Sequence, residues 1–199
     1  MDGRIAVLAS GEGTNLQALI DDEFCGPRIA LVLSDRGQAR ALDRARDAGL
    51  TAVHLDPAAY AARAAYDAAL VGELKQADIT YVALAGFMRI LGPQVVEAYR
   101  GRMLNVHPSL LPAFPGGTAV KDALDWGAKV TGVTVHLVDE ELDNGPIVLQ
   151  GSVPILSGDD WDALETRVHG LEHQLFPLAV RAMVEGRIRV DGRRATIEE

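Results

Sequence analysis

Asn105 and His107 stand two residues apart in the stretch Met103–Gly116, which reads M-L-N-V-H-P-S-L-L-P-A-F-P-G. In an extended strand, residues i and i+2 share a face. A carboxamide and an imidazole would then project into one space. The amide is a neutral donor suited to a developing oxyanion, and the imidazole can protonate or polarise it near neutral pH. Each residue also has a plainer use, the Asn as a turn cap and the His as a satisfied buried side chain. Pro108 keeps His107 out of helical backbone, and Pro112 and Pro115 hold the next segment extended. The stretch reads as a strand end presenting two polar groups, followed by a stiff loop that walls a site.

Two other places could add chemistry. Gly11-Glu12-Gly13-Thr14-Asn15 falls between an apolar run and a helix start. Its backbone amides and the helix N-terminus would form an anion site, with the Thr14 hydroxyl and the Asn15 amide adding donors. A dinucleotide fingerprint would want a third glycine at position 16, which is Leu16. Asp35 does fall at the end of strand two, where a ribose-binding acid would sit. The missing glycine favours a single phosphate over a dinucleotide, and a plain strand-to-helix turn is the bland alternative. Asp143 lies in a Gly- and Asn-rich loop and, taken alone, reads as a turn residue. If that loop folds back over His107, its carboxylate could relay a proton through water.

The remaining candidates are weaker. His136, in V-T-V-H-L, shares a strand face with Thr134 and reads as structural or site-lining. His54 and His173 read as structural or surface residues, and Cys25 as a thiol in a surface loop with nothing to mark it as a nucleophile. No paired-Cys or His-Glu-x-x-His spacing is present, so no metal is expected. No Gly-x-Ser-x-Gly elbow is present, so covalent serine chemistry is not expected.

The elements that must position these groups follow from the apolar pattern. Arg4–Ala9, Ile29–Leu33, Thr51–Leu55, Ile79–Leu84 and Met103–Val106 read as strands, with helices from Leu16, over Gln38–Ala48, from Asp56-Pro57 to about Gln76, and over Pro93–Tyr99. This alternation predicts an α/β chain with a doubly wound parallel sheet, whose ligands bind beyond the carboxyl ends of the strands. Gly11–Asn15, Ser34–Asp35, Gly86–Leu91 and Asn105–His107 all fall at such ends. The second half changes character: a helix over Thr118–Trp126, then Val130–Val138 and Ile147–Val153 as an antiparallel hairpin. A long helix over 160–185 follows, capped by Ser157–Asp160 and stopped by Gly186. Arg187–Val190 reads as a last short strand, and the final polar residues as frayed.

Composition bounds the function. At 199 residues, 48% hydrophobic and 24% charged, the chain fits one globular domain. The reading is a single domain over 1–199, with a phosphate-binding half over about 1–100 and a catalytic half over about 101–199. The net charge of −9 argues against a nucleic-acid partner, though not against a small phosphorylated ligand. A single cysteine excludes an internal disulfide. No segment is apolar for long enough to be a signal region or a membrane span. The expectation is a cytoplasmic protein without membrane partners, as a monomer or a homodimer.

Several blocks together, A-S-G-E-G-T-N-L-Q-A-L-I, L-A-G-F-M-R-I-L, L-N-V-H-P-S-L-L-P-A-F-P-G, G-V-T-V-H-L-V-D-E-E-L-D-N-G-P-I-V-L-Q and L-E-H-Q-L-F-P, resemble the glycinamide ribonucleotide formyltransferases, folate-dependent enzymes of purine synthesis. The resemblance runs in order over nearly the whole chain. N-x-H-P-S-L-L-P and D-x-G-P occur across folate formyl-transferring enzymes, and the G-x-G-[ST]-N loop narrows the likeness to the ribonucleotide substrate.

The resemblance implies a Rossmann-like formyltransferase fold, a mostly parallel twisted sheet with helices on both faces and an antiparallel C-terminal portion. It implies that Gly13, Thr14 and Asn15 hold the substrate phosphate and that Glu172 contacts its ribose hydroxyls. Arg63 with Met88, Arg89, Ile90 and Leu91 would line the folate pocket, and Asp139, Glu140, Glu141, Leu142 and Asp143 would receive the pteridine. Asn105, His107 and Asp143 would be catalytic, transferring the formyl group of 10-formyltetrahydrofolate as co-substrate to the ribonucleotide amine.

One position departs from the pattern: where the family usually has a histidine after Phe114-Pro115-Gly116, this chain has Thr118. Other activities remain to be weighed. A formyltetrahydrofolate hydrolase shares the Asn-His-Asp core but carries an N-terminal regulatory domain, whereas this chain starts directly at strand one. A methionyl-tRNA formyltransferase would need a further C-terminal domain and a basic surface. Leu16 argues against a dinucleotide oxidoreductase, and a non-catalytic ligand sensor would not need the three catalytic groups together.

Overall fold

Ile5–Leu8 (β1) is buried at every position, which is what a central strand of a sheet covered on both faces requires. Its side chains divide between two cores: Ile5 and Val7 pack on one face of the sheet, and Ala6 and Leu8 on the other. The computed structural model describes residues 3–198. Ile29–Ser34 (β2), Ala52–His54 (β3), Tyr81–Leu84 (β4) and Met103–His107 (β5) lie parallel to β1 in the order β3-β2-β1-β4-β5. Thr14–Asp21 (α1) and Arg40–Asp47 (α2) supply Leu16, Leu19, Ala41 and Ala45 to the first core. Arg63–Gln76 (α3) and Pro93–Ala98 (α4) cover the second.

The antiparallel portion begins at β5. After Ala119–Asp125 (α5), Val130–Leu137 (β6) pairs antiparallel with β5 and with Ile147–Pro154 (β7). Trp161–Val184 (α6) starts at Asp160, whose carboxylate accepts the Ala163 amide, and it buries Phe176, Val168 and Val180 in the first core. Among the described residues the sheet has nine strands, and no helix is long and apolar enough to cross a membrane. The mostly parallel α/β expectation therefore holds.

Three local readings are corrected. The helix expected from Asp56 to Gln76 is two pieces. Asp56 caps a single 3-10 turn over Pro57–Ala59, the chain then runs extended at Tyr60 and Ala62, and α3 begins at Arg63. The break lets Tyr60 pack edge-on against Tyr66, with ring centroids 5.7 Å apart. The tail is not frayed: Ile188–Asp191 (β8) and Arg194–Ile197 (β9) form a hairpin, and β9 meets β7 at the sheet edge. Cys25 is fully buried rather than in a surface loop. Burial first, and then its contact with Asp22, push its thiol well above the ordinary range, so it is an inert core thiol.

Phe176 has no exposed surface in the core between α6 and the sheet. Phe176→Ala is expected to cost about 3–5 kcal/mol in urea unfolding, through lost burial and the cavity left behind.

Candidate functional site

The pairing of β6 on β5 sets the site's register. Asn105 lies opposite His136, and His107 opposite Thr134. Asn105 Nδ2 stands 3.1 Å from His136 Nε2, and His136 Nδ1 stands 2.8 Å from its neighbour's carbonyl, Leu137 O. A carbonyl only accepts, so Nδ1 carries the ring proton and Nε2 is left to accept from the Asn105 amide. Burial lowers the His136 pKa, against the pull of that carbonyl and of Asp143, and this keeps the ring neutral in its accepting role. His136 thus orients the Asn105 carboxamide.

His107 is held from both sides. Its Nε2 lies 2.9 Å from Phe114 O, which assigns the proton to Nε2. Its Nδ1 lies 3.5 Å from Asp143 Oδ2, longer than a formed hydrogen bond. Nδ1 is therefore left with its lone pair, with a carboxylate beside it. Asp143 is fixed by the Gly116 amide, which donates to Oδ2 at 2.7 Å, and it lies 3.5 Å from Asn105 Nδ2 through Oδ1. Both Phe114 and Asp143 have φ of 51°, a left-handed conformation that costs non-glycine residues energy and that the surrounding loops must enforce. The wall after His107 is stiffened by Thr134, whose hydroxyl donates to Ser109 O at 2.7 Å and accepts from Leu111 N.

These three groups open into a cleft of about 650 Å³. It is lined also by Asn15 and Glu172, and by Met88, Arg89, Ile90 and Leu142. Gly13 precedes α1 with φ of 71°, and a Cβ there would stand 2.8 Å from Ala41, so only glycine fits. The N-terminus of α1 has no side-chain cap and no acidic residue in its first turn. Its free amides suit an anion. Asn15 donates to Glu172 Oε2 at 2.8 Å, while its own Oδ1 is buried without a partner. Glu172 is 3% exposed, and burial pushes its carboxyl up to about 7, with the Asn15 bond opposing. His169 Nε2 lies 3.9 Å from that carboxylate. Burial lowers the His169 pKa and raises that of Glu172, and both shifts work against an ion pair between them.

Other expected residues stand beside the cleft rather than in it. Arg63 donates to Ile90 O at 2.8 Å and so braces the loop. Leu91 turns into the second core. Asp139 accepts from the Glu141 amide and Asn144, shaping the 139–143 loop, and Glu140 pairs with Arg100 at the surface. Thr14 lines a separate, open hollow of about 710 Å³ between α1 and α6, together with His173. Thr118 lines the main cleft and donates to Asp122 Oδ2. The sequence reading missed Trp161, Glu165 and His169, which with the expected Glu172 form a stripe on α6 at three- and four-residue spacing. The signal was available as polar residues on an otherwise apolar helix face.

The formyl transferase family model matches residues 3–180. The chain is 43% identical over 190 residues to the phosphoribosylglycinamide formyltransferase of Escherichia coli, covering 94% of this chain and 89% of that one. It is 46% identical over 188 residues to the trifunctional purine biosynthetic protein adenosine-3 of Drosophila melanogaster, covering 92% of this chain but 14% of that longer protein. Its fold matches the crystal structure of glycinamide ribonucleotide transformylase 1 from Symbiobacterium toebii with a TM-score of 0.95 at 49% identity, over 98% of this chain and 94% of that one.

Glu172 makes stability fall as pH rises. Between the ordinary carboxyl value of 4.5 and about 7, the unfolded chain has lost a proton that the folded chain keeps. Folding is therefore disfavoured progressively across that window. Glu172→Gln removes this penalty. Urea midpoints are expected to agree with wild type at pH 4 and to favour the variant at pH 8, by up to about 3 kcal/mol.

Proposed function

The chain belongs to the formyl transferase family, and we propose that it transfers the formyl group of 10-formyltetrahydrofolate to the amine of glycinamide ribonucleotide in purine synthesis. The observation that carries this reading is the meeting of Asn105, His107 and Asp143 in one cleft, which Asn15 of an uncapped helix N-terminus, the buried carboxyl of Glu172 and a largely apolar loop also line.

The ribonucleotide phosphate sits at Gly13–Asn15, its ribose hydroxyls reach Glu172, and its amine points at Asn105. The folate enters from the Met88–Ile90 and Leu142 side, with Arg63 bracing the loop. The amine lone pair attacks the formyl carbon, and the carbonyl electrons move to its oxygen. The Asn105 N–H holds that oxyanion, joined by His107 Nδ1–H when the ring carries a second proton beside Asp143. A proton leaves the new ammonium, passes by way of Asp143 and water, and reaches the folate nitrogen. The carbon–nitrogen bond to the folate then breaks, giving the formylated ribonucleotide and tetrahydrofolate. No covalent enzyme intermediate and no metal take part in this route. Action in the cytoplasm is part of the same reading.

Formyl folate hydrolysis could use the same three groups, but it would leave the free amides of α1 and the buried Glu172 without a purpose. A mixture of protein, glycinamide ribonucleotide and formyl folate should therefore consume the folate only when the ribonucleotide is present. Consumption without it would establish a hydrolase, and none in either case a binding protein. His107→Ala and Asp143→Asn are each expected to slow turnover by at least about 100-fold. Thr14→Val should mainly weaken ribonucleotide binding, read by calorimetry.

A further inference from the structure

We propose that Asp35 is a positioning residue for the folate side of the cleft, holding the Met88 backbone through the Ser10 hydroxyl. The inference rests on the reading above, in which the 86–91 loop lines the folate pocket. Asp35 itself does not touch that pocket.

The strand order β2-β1-β4 brings three strand ends side by side. Asp35 follows β2 directly, Ser10 follows β1 by two residues, and Met88 follows β4 by four. Ser10 is 2% exposed, and its hydroxyl donates to Asp35 Oδ1 at 2.6 Å. A hydroxyl has one proton and two lone pairs. With the proton committed to the carboxylate, the lone pairs remain, and the Met88 amide donates to them at 2.8 Å. A carboxylate cannot donate back, so the direction of the chain is fixed from Met88 N–H to Ser10 O–H to Asp35. An ionised end acceptor makes the link about twice as strong as a neutral one.

The same serine holds the loop a second time, because its backbone amide donates to Gly86 O at 3.0 Å. Arg63 holds Ile90 O from the other side. Between these anchors the Met88 and Ile90 side chains are 58% and 59% exposed on the cleft. The charge of Asp35 is felt behind the loop as well. Tyr66 has a buried hydroxyl without a partner and is pushed up to about 12 by burial and then by Asp35, while Arg89 lies 4.9 Å over its ring. Asp35 is only half-buried and contributes nothing to the two cores. Losing its side chain therefore frees the Ser10 proton and loosens Met88 while leaving the sheet packed.

The test combines kinetics with amide exchange. Asp35→Ala is expected to raise KM for 10-formyltetrahydrofolate about tenfold, the scale of one lost charge-assisted hydrogen bond. KM for glycinamide ribonucleotide, kcat and Tm should stay near wild type. Ser10→Ala should match it, and the double variant should be no worse than either single one, because both cut one chain. Asp35→Asn keeps an acceptor oxygen without the charge and should fall between. In the ligand-free protein, hydrogen exchange at the Met88 amide should quicken in Asp35→Ala and not in the core strands. Unchanged exchange at Met88 overturns the proposal, as does a folate KM that does not move. A uniform loss of both KM values, kcat and Tm would make Asp35 merely structural and would also overturn it. If the wild-type protein turns over no formyl folate while Met88 exchange still responds to Asp35, the relay stands and the assignment of the cleft fails.

Discussion

The antiparallel docking of β6 against β5 is the constraint on which the site depends. The parallel half delivers Asn105 and His107 to a strand end, but parallel neighbours could place nothing directly opposite them from the following chain. Reversing direction at β6 puts His136 across from Asn105 and Thr134 across from His107. β6 ends beside Met103 and Leu104, at the amino end of β5, and the 139–145 connection folds back from there to bring Asp143 beside Asn105 and His107, where the Gly116 amide fixes its carboxylate. The hairpin thus converts two side chains on one strand into four groups around one space.

The network also settles protonation without any bound ligand. Two carbonyls, Phe114 O and Leu137 O, each take a ring proton, so the two imidazoles present different atoms to their neighbours. His136 offers a lone pair to the Asn105 amide, and His107 offers Nδ1 to the cleft. An unsatisfied member would cost free energy in so buried a setting. The left-handed φ of Phe114 and Asp143 shows where that arrangement is maintained against local backbone preference.

Much of this was legible in the sequence, because the relevant signals are local. The pleat alone places Asn105 and His107 on one face, and the apolar runs broken by Gly and Pro mark the parallel half. What stayed hidden depends on distant partners. The alanine-rich run after Asp56 has helix-forming composition throughout, and it breaks where Tyr60 packs on Tyr66, a contact that no local pattern announces. Cys25 is buried by α6, whose Pro177 carbonyl lies 3.7 Å from its sulfur from 152 residues away. The terminal hairpin is the exception: I-R-V-D and R-A-T-I alternate on either side of Asp191-Gly192, a local signal that the reading of a frayed tail passed over. Asp35 was visible as an acid at a strand end, but its partner Ser10 is set by strand order, which no local pattern encodes.

A protein with a net charge of −9 that holds anionic ligands must supply attraction locally. Charges farther away than about 8 Å are largely screened at physiological salt, so the global excess matters less than the groups lining the cleft. At the proposed phosphate site the attraction comes from backbone dipoles: the amides of α1 are uncapped, and no acidic side chain competes in its first turn. The buried carboxyl at that end, Glu172, is kept protonated up to about 7 by its own burial. Exposed, the same residue would be fully ionised and would repel a phosphate. Buried, it can sit beside the anion near neutral pH, partly neutral, and exchange hydrogen bonds with a sugar hydroxyl. The burial that costs stability above pH 5 is what makes an acid compatible with this site.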